Sequence, residues 1–392
     1  MMRDAVIVDV VRTPSGRGKP GGMLSHVHPV DLLAGVLREL VDRSGLDPVL
    51  IDDVIGGCVS QVGEQSYNVV RNAVLSAGFP VSVPGTTVDR QCGSSQQAAS
   101  FAAQGVIAGA YDIVIACGVE SMSRVPLGSS LGAQSPYGSG MAQRFPDGLV
   151  GQGVSAELIA ARHGFGRDEL DEFSAGSHAR AAAAAARGDF DRELIAVSGV
   201  EELADETVRA DTTASGLSGL KPAFRTDELA ARFPEIDWRI TPGNSSPLTD
   251  GASAALIMSS ARADELGLTP RARFHAFAVT GSDPLLMLTG VVPATRKVLD
   301  RSGLSIDDIA VSEVNEAFAP VPLLWLRELE ADPATLNPQG GAIALGHALG
   351  SSGTRLLATL LNSLERSRGR YGLQTMCEGG GMANATIIER LG

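Results

Sequence analysis

Cys92 lies in the text DRQCGSSQQA, where an extended run ends at Val88 and a helix rich in small residues is predicted to begin. A thiol at a helix N-terminus meets unpaired N–H groups and the positive end of the helix dipole, which stabilise a thiolate. The same N–H groups can bind an oxyanion. This text alone supports a nucleophilic cysteine and a buried structural cysteine about equally.

His347 lies in the glycine-dense text GGAIALGHALGSSG, just before a predicted helix. Glycines permit a second backbone or a ligand to come very close. A histidine in such a strand-to-helix turn is typical of a general base. The alternative is a histidine whose hydrogen bonds are satisfied within the core or at the surface.

Cys377 precedes a glycine turn, Gly379–Gly381, whose N–H groups can point at a site. Asn315 and Glu316 lie in EVNEAFAP at a predicted strand-to-helix junction, where the asparagine is either a helix cap or an amide that orients a water or an oxyanion. For Cys377 a structural role is again the alternative. Together these residues supply a nucleophile, a base, a second thiol and oxyanion donors, a complete set for acyl transfer through a covalent intermediate.

Alternating short apolar runs and amphipathic stretches predict an α/β fold that holds these residues. Buried strands are predicted at Val6–Val10, Val54–Ile55 and Asp112–Ala116. Helices are predicted at Val30–Arg43, Gln96–Ala108 and Arg355–Glu365.

The chain also repeats itself. The text DRSGL occurs twice, and the copies lead into related text, IDDVIGG from Ile51 and IDDIAVS from Ile306. The offset of 255 residues between these isoleucines also relates Cys92 to His347. A chance repeat or a common turn is the alternative, but later landmarks also recur in the same order, such as IACGVE from Ile115 and TMCEGG from Thr375. Two duplicated α/β halves about a pseudo-twofold axis are therefore predicted.

The stretch between the halves has a different character, with Gly/Ser-rich text, an alanine-rich helix and few strand signals. Long connections of this kind are usually lids or binding loops, and a flexible linker would explain only the Gly/Ser-rich part. We predict an N-terminal half at 1–120 with 243–269, a loop domain at 121–242, and a C-terminal half at 270–392.

The composition of the chain argues against several classes of function. Lys+Arg 32 against Asp+Glu 45 gives a net charge of −13 over 392 residues, which argues against nucleic-acid binding. No apolar run reaches the ~18 residues that cross a bilayer, and the N-terminus is predicted to be a strand and not a signal peptide. The four cysteines and six histidines lack metal-ligand spacing. A cytoplasmic protein with reduced thiols, no metal and no membrane contact is expected.

The chain resembles the thiolase family nearly end to end. The family's blocks occur in order as DRQCGSSQQA, CGVESMS, LKPAF, GNSSPLTDGASA, NEAFA, GGAIALGH with GSSG, and CEGGG. In detail the text is most similar to bacterial degradative 3-ketoacyl-CoA thiolases. The resemblance implies the thiolase fold, with two duplicated α/β halves stacked in five layers (α-β-α-β-α) and an inserted loop domain that binds coenzyme A.

The resemblance also implies an acetyl-CoA C-acyltransferase that cleaves 3-ketoacyl-CoA reversibly. Cys92 would attack the 3-keto carbonyl, and His347 would take the Cys92 proton. Cys377 would protonate the departing acetyl-CoA enolate and then deprotonate the incoming CoA thiol. Asn315 would hold a water that stabilises the enolate oxygen, and the N–H groups of Cys92 and Gly379 would form a second oxyanion hole.

Coenzyme A contacts are implied at Leu220, Phe224, Ser246 and Phe318, for which ordinary packing is the alternative. CoA is a co-substrate, and no permanently bound cofactor is implied. The resemblance further implies a homodimer, with a tetramer of two dimers as the alternative.

The chain departs from the family pattern in several places. Ala348 stands where proline is usual, Pro247 and Thr249 stand where glycine and asparagine are commoner, and Gly151 and Gln152 replace a bulky His-Met pair beside the acyl group. We hypothesise an acyl pocket that is roomier than in enzymes specific for acetoacetyl-CoA. A biosynthetic acetoacetyl-CoA thiolase is the alternative function.

Features of the chain argue against four other functions. A ketoacyl-synthase-type condensing enzyme normally lacks the second cysteine of CEGGG, and sterol-carrier thiolases carry histidine in place of Asn315. A Cys-His-Asn protease would lack the glycine-dense repeats. A non-enzymatic scaffold predicts the loss of a catalytic residue, and each one is present.

Overall fold

The computed structural model describes residues 3–132 and 134–392. Met1, Met2 and Ala133, the last within the Gly/Ser-rich text, lie outside the described residues. The strands of the described part are β1 (Val6–Arg12), β2 (Gly16–Arg17), β3 (Asp53–Gly57), β4 (Thr86–Val88), β5 (Ile113–Ser121), β6 (Thr249–Met258), β7 (Ala272–Gly281), β8 (Ile309–Val314), β9 (Tyr371–Glu378) and β10 (Met382–Arg390).

The α-helices of the described part are α1 (Pro29–Ser44), α2 (Val69–Ser76), α3 (Ser94–Ile107), α4 (Ser139–Arg144), α5 (Gln152–His163), α6 (Arg167–Ala186), α7 (Ala214–Ser218), α8 (Asp227–Arg232), α9 (Ser260–Leu266), α10 (Val291–Ser302), α11 (Pro320–Leu329), α12 (Ala342–Leu345) and α13 (Ser352–Ser367). The helices and strands that were predicted from periodicity coincide with α1, α3, α13, β1, β3 and β5 to within a few residues.

The strand order confirms the duplication that the repeated text predicts. The sheet runs β4-β3-β5-β6-β1-β7-β10-β9-β8, with β2 paired to β6. Outward from its centre, β1-β6-β5-β3 on one side corresponds to β7-β10-β9-β8 on the other. The pairings match as well, because β1–β6 and β7–β10 are antiparallel while β3–β5 and β8–β9 are parallel. A short antiparallel contact between β1 and β7 joins the halves.

Both faces of the sheet are buried, because alternating residues of its strands pack against helices on opposite sides. This packing produces five layers. In β5, Ile113 and Ile115 pack with α1 and α2, whereas Val114 and Ala116 pack with α3 and α13. On the far side, α10 and α11 cover the C-terminal half-sheet. The stack is therefore outer helices, half-sheet, central helices α3 and α13, half-sheet and outer helices, which is the five-layer order that the resemblance implies.

The two central helices cross with their backbones almost in contact. A Cβ on Gly353 would lie 2.0 Å from the backbone nitrogen of Gln96, so only glycine fits there. Cys92 stands two residues before α3, and His347 stands two residues before the 3-10 turn Leu349–Ser351 that leads into α13. The crossing thus brings the starts of both helical segments, with their preceding residues, to the same region.

The chain between β5 and β6 contains helices α4 to α8 and, in its described part, no element of the sheet. Residues of α5 and α6 pack into the core of the C-terminal half. Among the described residues, no helix is both long and apolar enough to cross a membrane.

Candidate active site

Cys92 occupies a tight turn at the head of α3. Its side chain is buried, Gly93 is the N-cap of the helix, and Gln91 adopts a positive φ of 49°. A non-glycine residue in the left-handed region stores strain, which is a recurrent feature of functional sites. The Gln91 side chain also packs against Gly379, because a Cβ there would lie 2.8 Å from Gln91 Oε1. The nucleophile turn and the glycine turn are therefore in direct contact.

The environment of the Cys92 thiol sets its protonation. Burial raises the pKa of Cys92 to about 12, and the charge of Glu378 acts in the same direction. Hydrogen bonds from Gln152 and from the N–H groups of Cys92 and Gly379 lower this pKa, but by less than burial raises it. The N–H groups thus act in the direction expected from the sequence, but desolvation outweighs them, and the resting group is the thiol.

His347 is held from both ring nitrogens. Its Nδ1 lies 2.7 Å from Ser352 Oγ, and its Nε2 lies 3.3 Å from Asn315 Nδ2. The Ser352 hydroxyl donates its proton to Ala348 O at 2.8 Å, so it accepts from Nδ1–H. The Asn315 amide group donates to Nε2. Both contacts require the tautomer with the proton on Nδ1 and a lone pair on Nε2.

The imidazole is neutral at physiological pH. Burial lowers the pKa of His347 to about 3, and the positive charge of Arg355 acts in the same direction. A neutral ring with its lone pair on Nε2 can accept a proton there, which is the state that a general base needs.

Asn315 follows β8 directly and lies outside the helical caps, because α11 begins at Pro320 and its N-cap is Ala319. The helix-cap alternative is therefore excluded. Its Oδ1 is buried and has no hydrogen-bond partner among the described residues. The neighbouring Glu316 instead accepts bonds from Ser177 Oγ at 2.6 Å and Asn337 Nδ2 at 2.9 Å, which gives it a structural role.

Cys377 lies on β9 and is completely buried. Burial raises its pKa well above the ordinary value, and the nearby Cys92 raises it further. The two thiols therefore share one site. All four cysteines are free thiols, and within residues 3–132 and 134–392 no group of His, Cys, Asp or Glu is placed to hold a metal ion.

The residues with implied coenzyme A contacts lie on three neighbouring segments. The rings of Phe224 and Phe318 meet edge to face at 5.9 Å. The backbone N–H of Ser246 donates to Ala317 O at 3.0 Å, and Leu220 packs against Gly243.

This apolar cluster adjoins the catalytic turn through the first turn of α5. A Cβ on Gly153 would lie 2.4 Å from the Phe224 ring, while the preceding Gln152 places Nε2 3.9 Å from Cys92 Sγ. The two groups of predicted residues therefore border one another.

Family models for the N-terminal and C-terminal domains of thiolases match residues 5–261 and 268–390. The chain belongs to the thiolase family. It is accordingly an acyltransferase, and acyl-CoA thioesters are the substrate class of that family.

Individual relatives align with this chain over at least 95% of their own length. The chain is 46% identical to a steroid 3-ketoacyl-CoA thiolase of Mycobacterium tuberculosis, over 100% of this chain and 95% of that one. It is 44% identical to a 3-ketoacyl-CoA thiolase of Pseudoalteromonas translucida, with both chains fully covered. The crystal structure of the Bacillus anthracis acetyl-CoA acetyltransferase superposes with a TM-score of 0.88 at 36% identity, covering 100% of this chain and 99% of that one.

Sequence reasoning missed three contacts in this thiolase site. Ser352 orients His347, Thr249 Oγ1 accepts the His347 backbone N–H at 2.9 Å, and Glu378 lies beside Cys92. Thr249 was noted only as a departure from the family pattern. A charged residue inside the apolar text TMCEGG was the signal that could have revealed Glu378.

Proposed function

We propose that this thiolase catalyses the CoA-dependent, reversible cleavage of 3-ketoacyl-CoA to acetyl-CoA and a shortened acyl-CoA through an acyl-Cys92 intermediate. The observation that carries the proposal is a buried pair of thiols, with two N–H groups directed at the Cys92 sulfur. The crossing of the central helices brings the segment of His347, a neutral histidine with its lone pair on Nε2, to the same region. Thioester exchange through a covalent intermediate needs a nucleophilic thiol, a base, a second acid or base and oxyanion donors, and these groups meet that need.

In the first half-reaction, the Cys92 sulfur attacks the 3-keto carbon while His347 Nε2 takes the thiol proton. Each charge alone is disfavoured by burial, so thiolate and imidazolium form together as an ion pair during the attack. The C2–C3 bond then breaks, its electron pair forms the enolate of acetyl-CoA, and Cys377 donates a proton to that carbanion. The unpartnered Oδ1 of Asn315 supports a water-binding role at the enolate oxygen.

In the second half-reaction, the Cys377 thiolate takes the proton of the incoming CoA thiol. The CoA sulfur attacks the acyl-Cys92 carbonyl, and the tetrahedral oxyanion is bound by the N–H groups of Cys92 and Gly379. Each donor of this type is typically worth ~3 kcal/mol of barrier lowering. Collapse of the intermediate releases acyl-CoA, and the Cys92 sulfur recovers its proton from His347.

We assign coenzyme A to the cluster of Leu220, Phe224, Ser246 and Phe318. The edge-to-face aromatic pair and its contact with the turn that bears Gln152 support a route from this cluster to Cys92. The side chain of Lys221 is exposed next to Leu220 and supplies positive charge for phosphate groups in an otherwise acidic protein.

We further propose that the acyl pocket accepts chains longer than four carbons. Gln152 borders the Cys92 sulfur, and a Cβ on the preceding Gly151 would meet nothing within 4 Å, where a bulky pair is common in the family. The relative from M. tuberculosis is named for a steroid substrate. The test is turnover of a series of 3-ketoacyl-CoA substrates of increasing chain length. Best turnover at four carbons would contradict this proposal and favour the short-chain biosynthetic reaction.

A homodimer is proposed for the assembly. In the described part of the chain β4 terminates one side of the sheet, and Tyr67 and Val81 are 92% and 82% exposed. An uncovered strand edge with apolar neighbours is suited to a partner of the same kind. Light scattering distinguishes a dimer from a tetramer or a monomer. A cytoplasmic location and the boundaries 1–120 with 243–269, 121–242 and 270–392 stay predictions.

The reaction is tested by CoA-dependent loss of acetoacetyl-CoA and of a ten-carbon 3-ketoacyl-CoA, comparing wild type with Cys92→Ser. Cys117→Ser is the matched control, because Cys117 is also fully buried but packs on the outer face of β5. We expect loss of turnover only in Cys92→Ser, and an acyl adduct on wild-type Cys92 by mass spectrometry when CoA is withheld. Full activity of a folded Cys92→Ser protein would refute the proposal.

A further inference from the structure

Glu378 is the last residue of β9 and follows Cys377 directly. Its side chain is completely buried, and neither carboxyl oxygen has a hydrogen-bond partner among the described residues. A buried carboxyl group without partners is costly, so its presence in a buried strand calls for an explanation beyond packing. The acyl-transfer steps described above do not use it.

The carboxyl group of Glu378 packs closely against Gly93, the residue that follows Cys92. A Cβ on Gly93 would lie 2.0 Å from Glu378 Oε1 and 2.7 Å from Asn384 Nδ2. The Asn384 amide donates to Gly93 O at 3.1 Å, which fixes that backbone against β10. Gly93 is the N-cap of α3 and follows Cys92, so the carboxyl group stands at the N-terminus of α3, beside the turn that carries the Cys92 sulfur.

The charged and titratable groups around Glu378 come from two segments. The turn before α3 supplies Asp89, Arg90 and Cys92, and β9 supplies Cys377. Arg90 directs its Nη1 to Met382 Sδ at 3.7 Å and forms no ion pair with Glu378 in the described structure. Burial raises the pKa of Glu378 to about 8, with Arg90 opposing and Asp89 reinforcing the shift. At neutral pH the group is therefore mainly the uncharged acid.

We propose that Glu378 is a positioning residue that sets the proton affinity of Cys92, acting as an uncharged acid at neutral pH and as an opposing charge in alkaline solution. As the acid, it leaves the positive field of the α3 N-terminus to the developing Cys92 thiolate. As the carboxylate, it occupies that field and repels a second negative charge, which holds Cys92 as the thiol. The inference rests on the proposed role of Cys92 as the nucleophile.

The test is the rate of Cys92 alkylation by iodoacetamide from pH 6.5 to 9.5, followed on the Cys92 peptide by mass spectrometry. Wild type and Glu378→Gln should react equally at pH 6.5, where both side chains are uncharged. At pH 9.5 we expect Glu378→Gln to react about tenfold faster, which corresponds to a difference of about one unit in the pKa of Cys92. Glu378→Asp restores an ionisable group and should restore the slower alkaline reaction.

Glu389→Gln is the matched control. Glu389 is a buried glutamate on β10, at the opposite end of the β9–β10 hairpin, where it pairs with Arg273 and Arg370. Its alkylation profile should coincide with that of wild type. If Glu378→Gln fails to fold, Glu378→Met removes the charge with a side chain of similar length and carries the same expectation.

A constant rate ratio between wild type and Glu378→Gln across the whole pH range would overturn the inference. The turnover of Cys92→Ser separates this failure from that of the proposed function. An inactive Cys92→Ser protein together with a constant ratio removes only the role of Glu378. An active Cys92→Ser protein removes the nucleophile assignment and the inference with it.

Discussion

Ser352→Ala removes the group that selects the tautomer of His347. The Ser352 hydroxyl donates to Ala348 O and accepts from His347 Nδ1–H at 2.7 Å, so the proton is held on Nδ1 and the lone pair on Nε2. Alanine leaves Nδ1–H buried without an acceptor. The opposite tautomer, which cannot accept the Cys92 proton, then becomes competitive.

The magnitude follows from the hydrogen bond that is lost. A neutral hydrogen bond contributes ~1 kcal/mol, and a bond to a charged group ~1.5–3 kcal/mol. His347 becomes an imidazolium as it takes the thiol proton, so the bond strengthens in the transition state. We therefore expect kcat to fall about ten- to a hundredfold, with KM changed much less because Ser352 is buried and bonded to His347 Nδ1 and Ala348 O.

The assay is steady-state thiolysis of a 3-ketoacyl-CoA, with the His347 tautomer followed by nitrogen NMR of imidazole-labelled protein. Ser351→Ala is the control, since this neighbouring buried serine contacts Ser253 at 2.9 Å and is not bonded to the imidazole. The control should keep kcat within about twofold of wild type. A wild-type kcat for Ser352→Ala, or an unchanged tautomer, would show that the hydroxyl does not orient the base.

Three further outcomes are expected. Ala348→Pro should raise the free energy of unfolding by ~0.4–1 kcal/mol in urea, because its φ of −69° already suits proline, and a lower midpoint would contradict this. Gln152→Ala removes the 3.9 Å contact to Cys92 Sγ and should slow alkylation of Cys92 roughly two- to fivefold at pH 8, whereas an unchanged rate would remove any role for the amide. Burial, with Arg209, lowers the pKa of His178 to about 4, so the unfolded chain binds the proton first between about pH 6.5 and 4 and stability falls as the pH is lowered. His178→Gln should reduce this loss by ~1–2 kcal/mol in urea unfolding at pH 7 and 4.5, and an unaltered slope would assign it elsewhere.

Much of the fold and of the site could be predicted because the responsible signals are local. A few contiguous residues determine each of three local features. These are the start of α3 after Cys92, the glycine-dense turn around His347 and the glycine turn after Cys377. Backbone geometry of this kind depends on neighbours in the chain, so residue types and spacing indicate it. The 255-residue repeat likewise indicated the duplicated halves before any strand pairing was known.

Other properties of the site were decided by tertiary structure. The sequence at the head of α3 favours a thiolate, yet burial beneath distant segments raises the pKa of Cys92. The contact from Gln152 to Cys92 and the bond from His347 to Thr249 each join residues far apart in the chain. Desolvation and long-range hydrogen bonds depend on which surfaces meet after folding, and no local pattern encodes that meeting. The sequence therefore determined which chemical groups are available, and the packing of the two halves determined their protonation and orientation.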